Sequence, residues 1–214
     1  MPKTKTIITK FPHFSRRRLL WLFVILVVIL LYFPVNQLTQ HGTQLSLPID
    51  ANIPLYPPAI VPYLIGAALF VVFPVLAALY IKRGEFEAYA ISILTATIIS
   101  YLVYLTFPTF VTRPEITYND IFSRAIIVLY QADKSFNAAP SGHTFYSVLA
   151  CLYICRWLPK YKIIWIIIAA VIIASTLFTR QHYILDVICG LALGILAYFV
   201  GRFVHKKWNP TFAS

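Results

Sequence analysis

The 214 residues are 60% hydrophobic and only 12% charged, with a formal net charge of +11 and a mean hydropathy of +0.77. That composition excludes an ordinary water-soluble domain. The basic excess needs no nucleic-acid partner, because it flanks apolar runs that approach or exceed the ~20 residues of a bilayer crossing.

In chain order, a basic segment, 1–18, precedes the first apolar run, 19–35. An Arg-rich start can mark a signal peptide, but no A-x-A-like cleavage site follows, so 19–35 reads as a span. Further spans are expected at 60–81, 88–107, 141–158, 163–178 and 184–204. The fourth and fifth are short, which a helix tolerates if its outer end stops inside a protein-lined cavity. The fold class is therefore all-α: one integral membrane domain, 1–214, a bundle of six transmembrane helices. No internal repeat divides it.

Segments 36–58 and 108–140 read as loops, the first holding four prolines and the second acids, bases and scattered aromatics. Of the 18 basic residues, only Arg113, Arg124, Lys134 and Arg180 fall on the side of these loops. The positive-inside rule then puts both termini, including the tail 205–214, in the cytoplasm. The two loops become extracytoplasmic. Cys151, Cys155 and Cys189 lack ligand-like spacing and read as buried small apolar residues. Tyr56, Tyr63, Phe107, Phe110, Tyr118, Phe122 and Phe145 read as an interfacial belt or the lining of a lipid entry, and 36–58 as a connector able to cap it.

The extracytoplasmic side is poor in charge, so its polar residues are informative. His143 opens the fourth span in Pro140-Ser141-Gly142-His143. Ser is a good N-cap, Gly lets a ligand approach the backbone, and free N–H groups at a helix start suit an anion. His182 and Asp186 stand four residues apart; if helical, they share a face, and the carboxylate accepts a hydrogen bond from the ring. Arg113, Arg124, Lys134 and Arg180 suit phosphate oxygens. Two histidines, an aspartate, an anion-suited turn and nearby bases together describe phosphoryl transfer through a phosphohistidine. No carboxylate pair or His/Cys spacing suggests a metal.

These residues resemble the type 2 phosphatidic acid phosphatase (PAP2) superfamily of six-span, metal-independent lipid phosphatases and phosphotransferases. Its middle motif is intact as Pro140, Ser141, Gly142 and His143. Its last motif ends in His182 and Asp186, and its first in Arg113-Pro114. The resemblance implies that His182 attacks phosphorus, Asp186 orients it, and His143 protonates the leaving oxygen. It implies that Arg113 and the Ser141–Gly142 backbone cradle the phosphate, with a membrane lipid phosphate as substrate and no cofactor. It also departs twice. Thr106 stands where the family has Lys, and Thr176 where it has Arg. Arg180 is a substitute for the latter if the fifth helix continues, and Lys134 either replaces the former or is a solvated loop charge.

The expected activity is a lipid phosphate phosphatase, in a bacterial inner or plasma membrane, with its site on the extracytoplasmic face. Two alternatives stand beside it. One is a head-group phosphotransferase of the sphingolipid-synthase-like branch, which shares the trio. The other is a non-enzymatic lipid-binding or transport protein using the same buried polar cluster.

Overall fold

The structure, a computed structural model, describes residues 7–8, 15–117 and 119–208. Lys3, Lys5, Lys10, Tyr118 and the tail beyond 208 lie outside the described residues. Helices dominate: α1 (Arg16–Leu30), α2 (Tyr32–Leu38), α3 (Ile60–Tyr80), α4 (Arg83–Thr106), α5 (Ile121–Ala132), α6 (Gly142–Trp157), α7 (Lys162–Phe178) and α8 (Ile184–Trp208).

Among the described residues, five helical stretches are long and apolar enough to cross a membrane: Arg16–Leu38, Pro57–Tyr80, Arg83–Thr106, Pro159–Phe178 and Ile184–Trp208. The expected run 141–158 forms α6, whose 16 residues reach about 24 Å, short of a ~30 Å hydrocarbon core. It is the inner helix, packed on α3, α4, α7 and α8. Glycines on α8 let it come close. A Cβ at Gly190 would sit 2.7 Å from the Ser141 carbonyl oxygen, and one at Gly194 2.9 Å from Val148. Small residues of this kind let helices meet where lipid supplies no hydrophobic drive. Side-chain hydrogen bonds add to the packing, Ser92 with Tyr153 and Thr97 with Tyr146.

The two expected loops are more structured than their sequence suggests. Residue 43 pairs with 109 and 44 with 110 in a two-stranded parallel ladder, β1 (Thr43–Gln44) with β2 (Thr109–Phe110). Asp50 accepts hydrogen bonds from Leu47 N at 2.7 Å and Ile184 N at 3.0 Å, so 36–58 caps the start of α8. Segment 108–140 contains α5, whose N-cap Asp120 accepts from Phe122 N and Ser123 N. At the opposite end α4 begins five residues before the expected 88. Its acids are not loop residues: Glu85 and Glu87 pair with arginines of the same and neighbouring helices. The cysteines are not buried: Cys151 and Cys155 are half-buried and Cys189 is exposed.

Candidate active site

The turn before α6 is fixed from three sides. Ala139 N donates to Thr109 Oγ1 at 2.7 Å, Tyr104 OH to the Pro140 carbonyl at 2.7 Å, and Ser141 N to the Asp186 carbonyl at 3.0 Å. Ser141 caps α6 through Thr144 N. Its own N–H is thus committed to Asp186, and the amides left for a ligand at this helix start are those of Gly142 and His143, which have no acceptor among the described residues. A Cβ on Gly142 would find only one atom, of Phe145, at 4.0 Å. The glycine leaves open space at the mouth of the helix.

That space belongs to a cavity of about 380 Å³ lined by Gly142, His143, His182, Arg113, Lys134 and Asp133, with Gln181, Asn137, Tyr63 and apolar residues of α1–α4. Its wall includes Leu30, Phe33, Leu64 and Val71, which are 42–57% exposed on the outer surfaces of the helices. The polar centre is therefore continuous with apolar side chains exposed on the outside of the helices. His143 is held by its neighbours: Tyr63 stacks on the ring at 3.9 Å and Phe70 meets it edge-on at 4.7 Å.

His182 and Asp186 do come together, but not as two residues of one helix. Helix α8 begins at Ile184, so His182 precedes it and Asp186 is its third residue. Asp186 Oδ2 accepts from Tyr183 N at 2.7 Å, the acidic half of a capping box. The same oxygen lies 3.7 Å from His182 Nδ1, so closing that contact to hydrogen-bond length takes a shift of about 0.7 Å. With Nδ1 turned to the carboxylate, Nε2 is the nitrogen left for chemistry.

The continuing-helix expectation for Arg180 does not hold. Helix α7 ends at Phe178, Arg180 turns left-handed at φ 54°, and the Thr176 carbonyl accepts from both Gln181 N and His182 N. The guanidinium leaves the cavity and donates to the carbonyls of Asp50 (2.7 Å) and Ile53 (3.0 Å). Pro114 is exposed and does not line the cavity. Lys134 borders the cavity, with its ammonium on the Gln37 carbonyl at 3.2 Å. Arg113 is half-buried over the Tyr130 ring. Its fork gathers the end of α5, donating to the carbonyls of Tyr130, Asp133 and Lys134, and to Gln181 Oε1 at 2.7 Å. Arg124 stays on the exposed face of α5 with Asn119.

Among the lining residues not singled out in the sequence are Gln181, Asn137 and Asp133. Asn137 is buried at φ 59°, and its place six residues before His143 was the only available signal. Gln181 adjoins His182 but is of a residue type common in any loop.

The unpartnered atoms converge here. Among the described residues, the buried side-chain nitrogens and oxygens without a hydrogen-bond partner are Arg113 Nε, Asn137 Nδ2, His143 Nε2, Thr144 Oγ1, Gln181 Nε2, His182 Nδ1 and Asp186 Oδ1. Five of these residues line the cavity, and Thr144 and Asp186 stand behind it. Each such atom costs about 1–3 kcal/mol when buried alone. The Arg, Asn and Gln atoms can only donate, so the arrangement suits a ligand rich in acceptor oxygens. Among the described residues no group of three or more His, Cys, Asp or Glu gathers as a metal site.

A family model for the PAP2 superfamily matches residues 85–209, more than half of the chain. Among curated proteins, an inositol phosphorylceramide synthase from Candida albicans (strain SC5314 / ATCC MYA-2876) is 30% identical over 75 residues, 35% of this chain. The match spans 15% of that protein's length. No solved structure matches.

Proposed function

The chain belongs to the PAP2 superfamily, and from that membership we propose that it is a lipid phosphate phosphatase working through a phosphohistidine on His182. The single observation that carries this is the convergence of unpartnered donors on the cavity that also holds both histidines. A phosphate supplies the missing acceptors.

In the first step His182 Nε2 forms the N–P bond as the P–O bond to the lipid breaks. The leaving oxygen takes a proton from His143, and Asp186 stabilises the charge that develops on His182. In the second, His143 accepts a proton from water, whose oxygen forms the new P–O bond as N–P breaks. Gly142 and His143 N–H groups, at the positive end of α6, meet the phosphate oxygens. The lipid chains lie along the Leu30, Phe33, Leu64 and Val71 wall. In this reading α6 is the fourth of six spans, its start sunk into the site, and the basic end with both termini faces the cytoplasm. The cavity is then extracytoplasmic.

The test is phosphate release from a panel of phospholipids and isoprenoid phosphates by purified protein in EDTA, beside His182→Ala and His143→Ala. Release that both substitutions abolish supports the reading; release indifferent to them rejects it. A second reading is favoured by the similarity to the inositol phosphorylceramide synthase, together with Thr106 and Thr176: transfer of a phospho-head group to a lipid alcohol. There free phosphate stays flat while labelled head group moves onto an added ceramide or diacylglycerol.

A further inference from the structure

Gln181 and Asn137 share one pattern: the carboxamide oxygen is taken and the nitrogen is not. Gln181 Oε1 accepts from Arg113 Nη2 at 2.7 Å, and Asn137 Oδ1 accepts from Thr39 Oγ1 at 3.1 Å. Reversing Gln181 would set its NH2 against an arginine that can only donate, so its orientation is determined. Both side chains line the cavity, at 5% and 2% exposure, and both nitrogens are buried without an acceptor.

We propose that Gln181 Nε2 and Asn137 Nδ2 are phosphate-binding donors, two neutral amides serving where the resembling family uses the two cations missing at Thr106 and Thr176. This rests on the phosphoryl-transfer reading above. Neither threonine lines the cavity. Thr106 Oγ1 donates to the Leu102 carbonyl on an exposed face, and Thr176 Oγ1 to the Ile173 carbonyl inside α7. Arg180 donates to the Asp50 and Ile53 carbonyls, and Lys134 to the Gln37 carbonyl at the end of α2. Two of the three Arg113 nitrogens are likewise occupied, so that arginine acts on the ligand partly by holding Gln181. The backbone fixes both amides. Gln181 N and His182 N are anchored on one carbonyl, which sets the donor beside the attacking ring, and Asn137 sits left-handed, a conformation Asn tolerates better than most residues. The neutral pair recognises phosphate by geometry more than by charge.

The experiment uses the full chain in detergent, with Gln181→Glu and Asn137→Asp. Each keeps the oxygen that accepts from Arg113 or Thr39 and replaces the donor by an acceptor. Two quantities are read: kcat/KM on the best lipid phosphate, and the shift in Tm produced by inorganic phosphate, also measured on His182→Ala. The proposal expects a loss of about 100-fold in kcat/KM, the scale of one removed transition-state donor. It also expects the phosphate shift to vanish while Tm without ligand holds. A purely structural role for Gln181 expects the reverse, since a carboxylate strengthens the Arg113 contact. Variants that keep kcat/KM within about threefold and keep the phosphate shift overturn this proposal and leave the phosphatase reading standing. If wild type shows no phosphate shift and turnover survives in His182→Ala, the reading itself falls and takes the proposal with it. Should Gln181→Glu fail to fold, Gln181→Met removes the donor without adding charge and faces the same criteria.

Discussion

The two ends of the bundle handle polar groups in opposite ways. At the basic end the acids are saturated. Glu85 accepts from Arg156 Nε at 3.0 Å, Arg156 Nη2 at 2.9 Å, Arg202 Nη1 at 2.8 Å and Trp157 Nε1 at 3.2 Å. Glu87 lies against Arg17 and Arg83, and buried Arg18 closes the carbonyls of Ala78 and Ile81 at the end of α3. At the cavity end the buried donors are left open. Saturated groups need nothing further, whereas open buried donors call for a partner, which the proposed phosphate would supply. Charge separates the two ends in the sequence, and the pairing separates them in the structure.

The largest effect that tests this contrast is at His182. His182→Ala removes the proposed nucleophile, and turnover should fall by at least about 10⁴-fold. The Tm without ligand should stay close to wild type, because the ring has no hydrogen bond to lose at Nδ1. Turnover within tenfold of wild type would put the cavity in the same class as the basic end.

Gly190→Ala tests whether the ends are independent. The new Cβ meets backbone, the Ser141 carbonyl at 2.7 Å, and cannot be relieved by a side-chain rotation. Overpacking of this kind costs about 1–3 kcal/mol. The shift falls on the α6 start and on the Ser141 N to Asp186 carbonyl hydrogen bond, so kcat should drop about tenfold along with the Tm. An unchanged kcat would mean that the α6–α8 contact does not set the distance between the histidines.

How far the sequence foresaw this follows the same division. The proposed trio stood out because such chemistry demands particular residue types: His182, His143 and Asp186 are scarce in an apolar chain, and the structure brings His182 near Asp186 and both histidines to one cavity. Five of the six expected spans were legible from length and hydropathy. What escaped depends on partners distant in sequence. Glu85 fell between the expected spans 60–81 and 88–107, and nothing local showed the arginines 71 and 117 residues away that pair with it. The α5 helix hid among polar neighbours. Arg180 was expected on a continuing helix, but a left-handed turn sent it to Asp50, 130 residues earlier. Gln181 gave no signal and Asn137 only its place six residues before His143, since an amide in a loop means little until its oxygen is seen to be occupied.

The smallest effects carry the sharpest form of the contrast, because two acid-to-amide changes should differ in sign. Glu85→Gln removes the charge that three partners converge on. It should lower stability by about 1–3 kcal/mol, with kcat/KM unchanged. Asp133 is the matching acid at the cavity. Its Oδ1 accepts from Tyr32 OH at 2.8 Å. Burial holds its carboxyl above the usual range, only partly offset by Tyr32, Arg113 and His182. A raised carboxyl binds its proton more tightly folded than unfolded, so its contribution favours the fold in acid and is lost as pH rises through the folded value. At neutral pH the ionised group therefore weighs against the fold. Asp133→Asn keeps an acceptor for Tyr32 and should raise the Tm at pH 7, by no more than the ~1 kcal/mol scale of a hydrogen bond. The gain should shrink as pH falls towards 4. A loss of stability instead would make Asp133 a saturated structural acid like Glu85, and the division between the two ends would no longer include it.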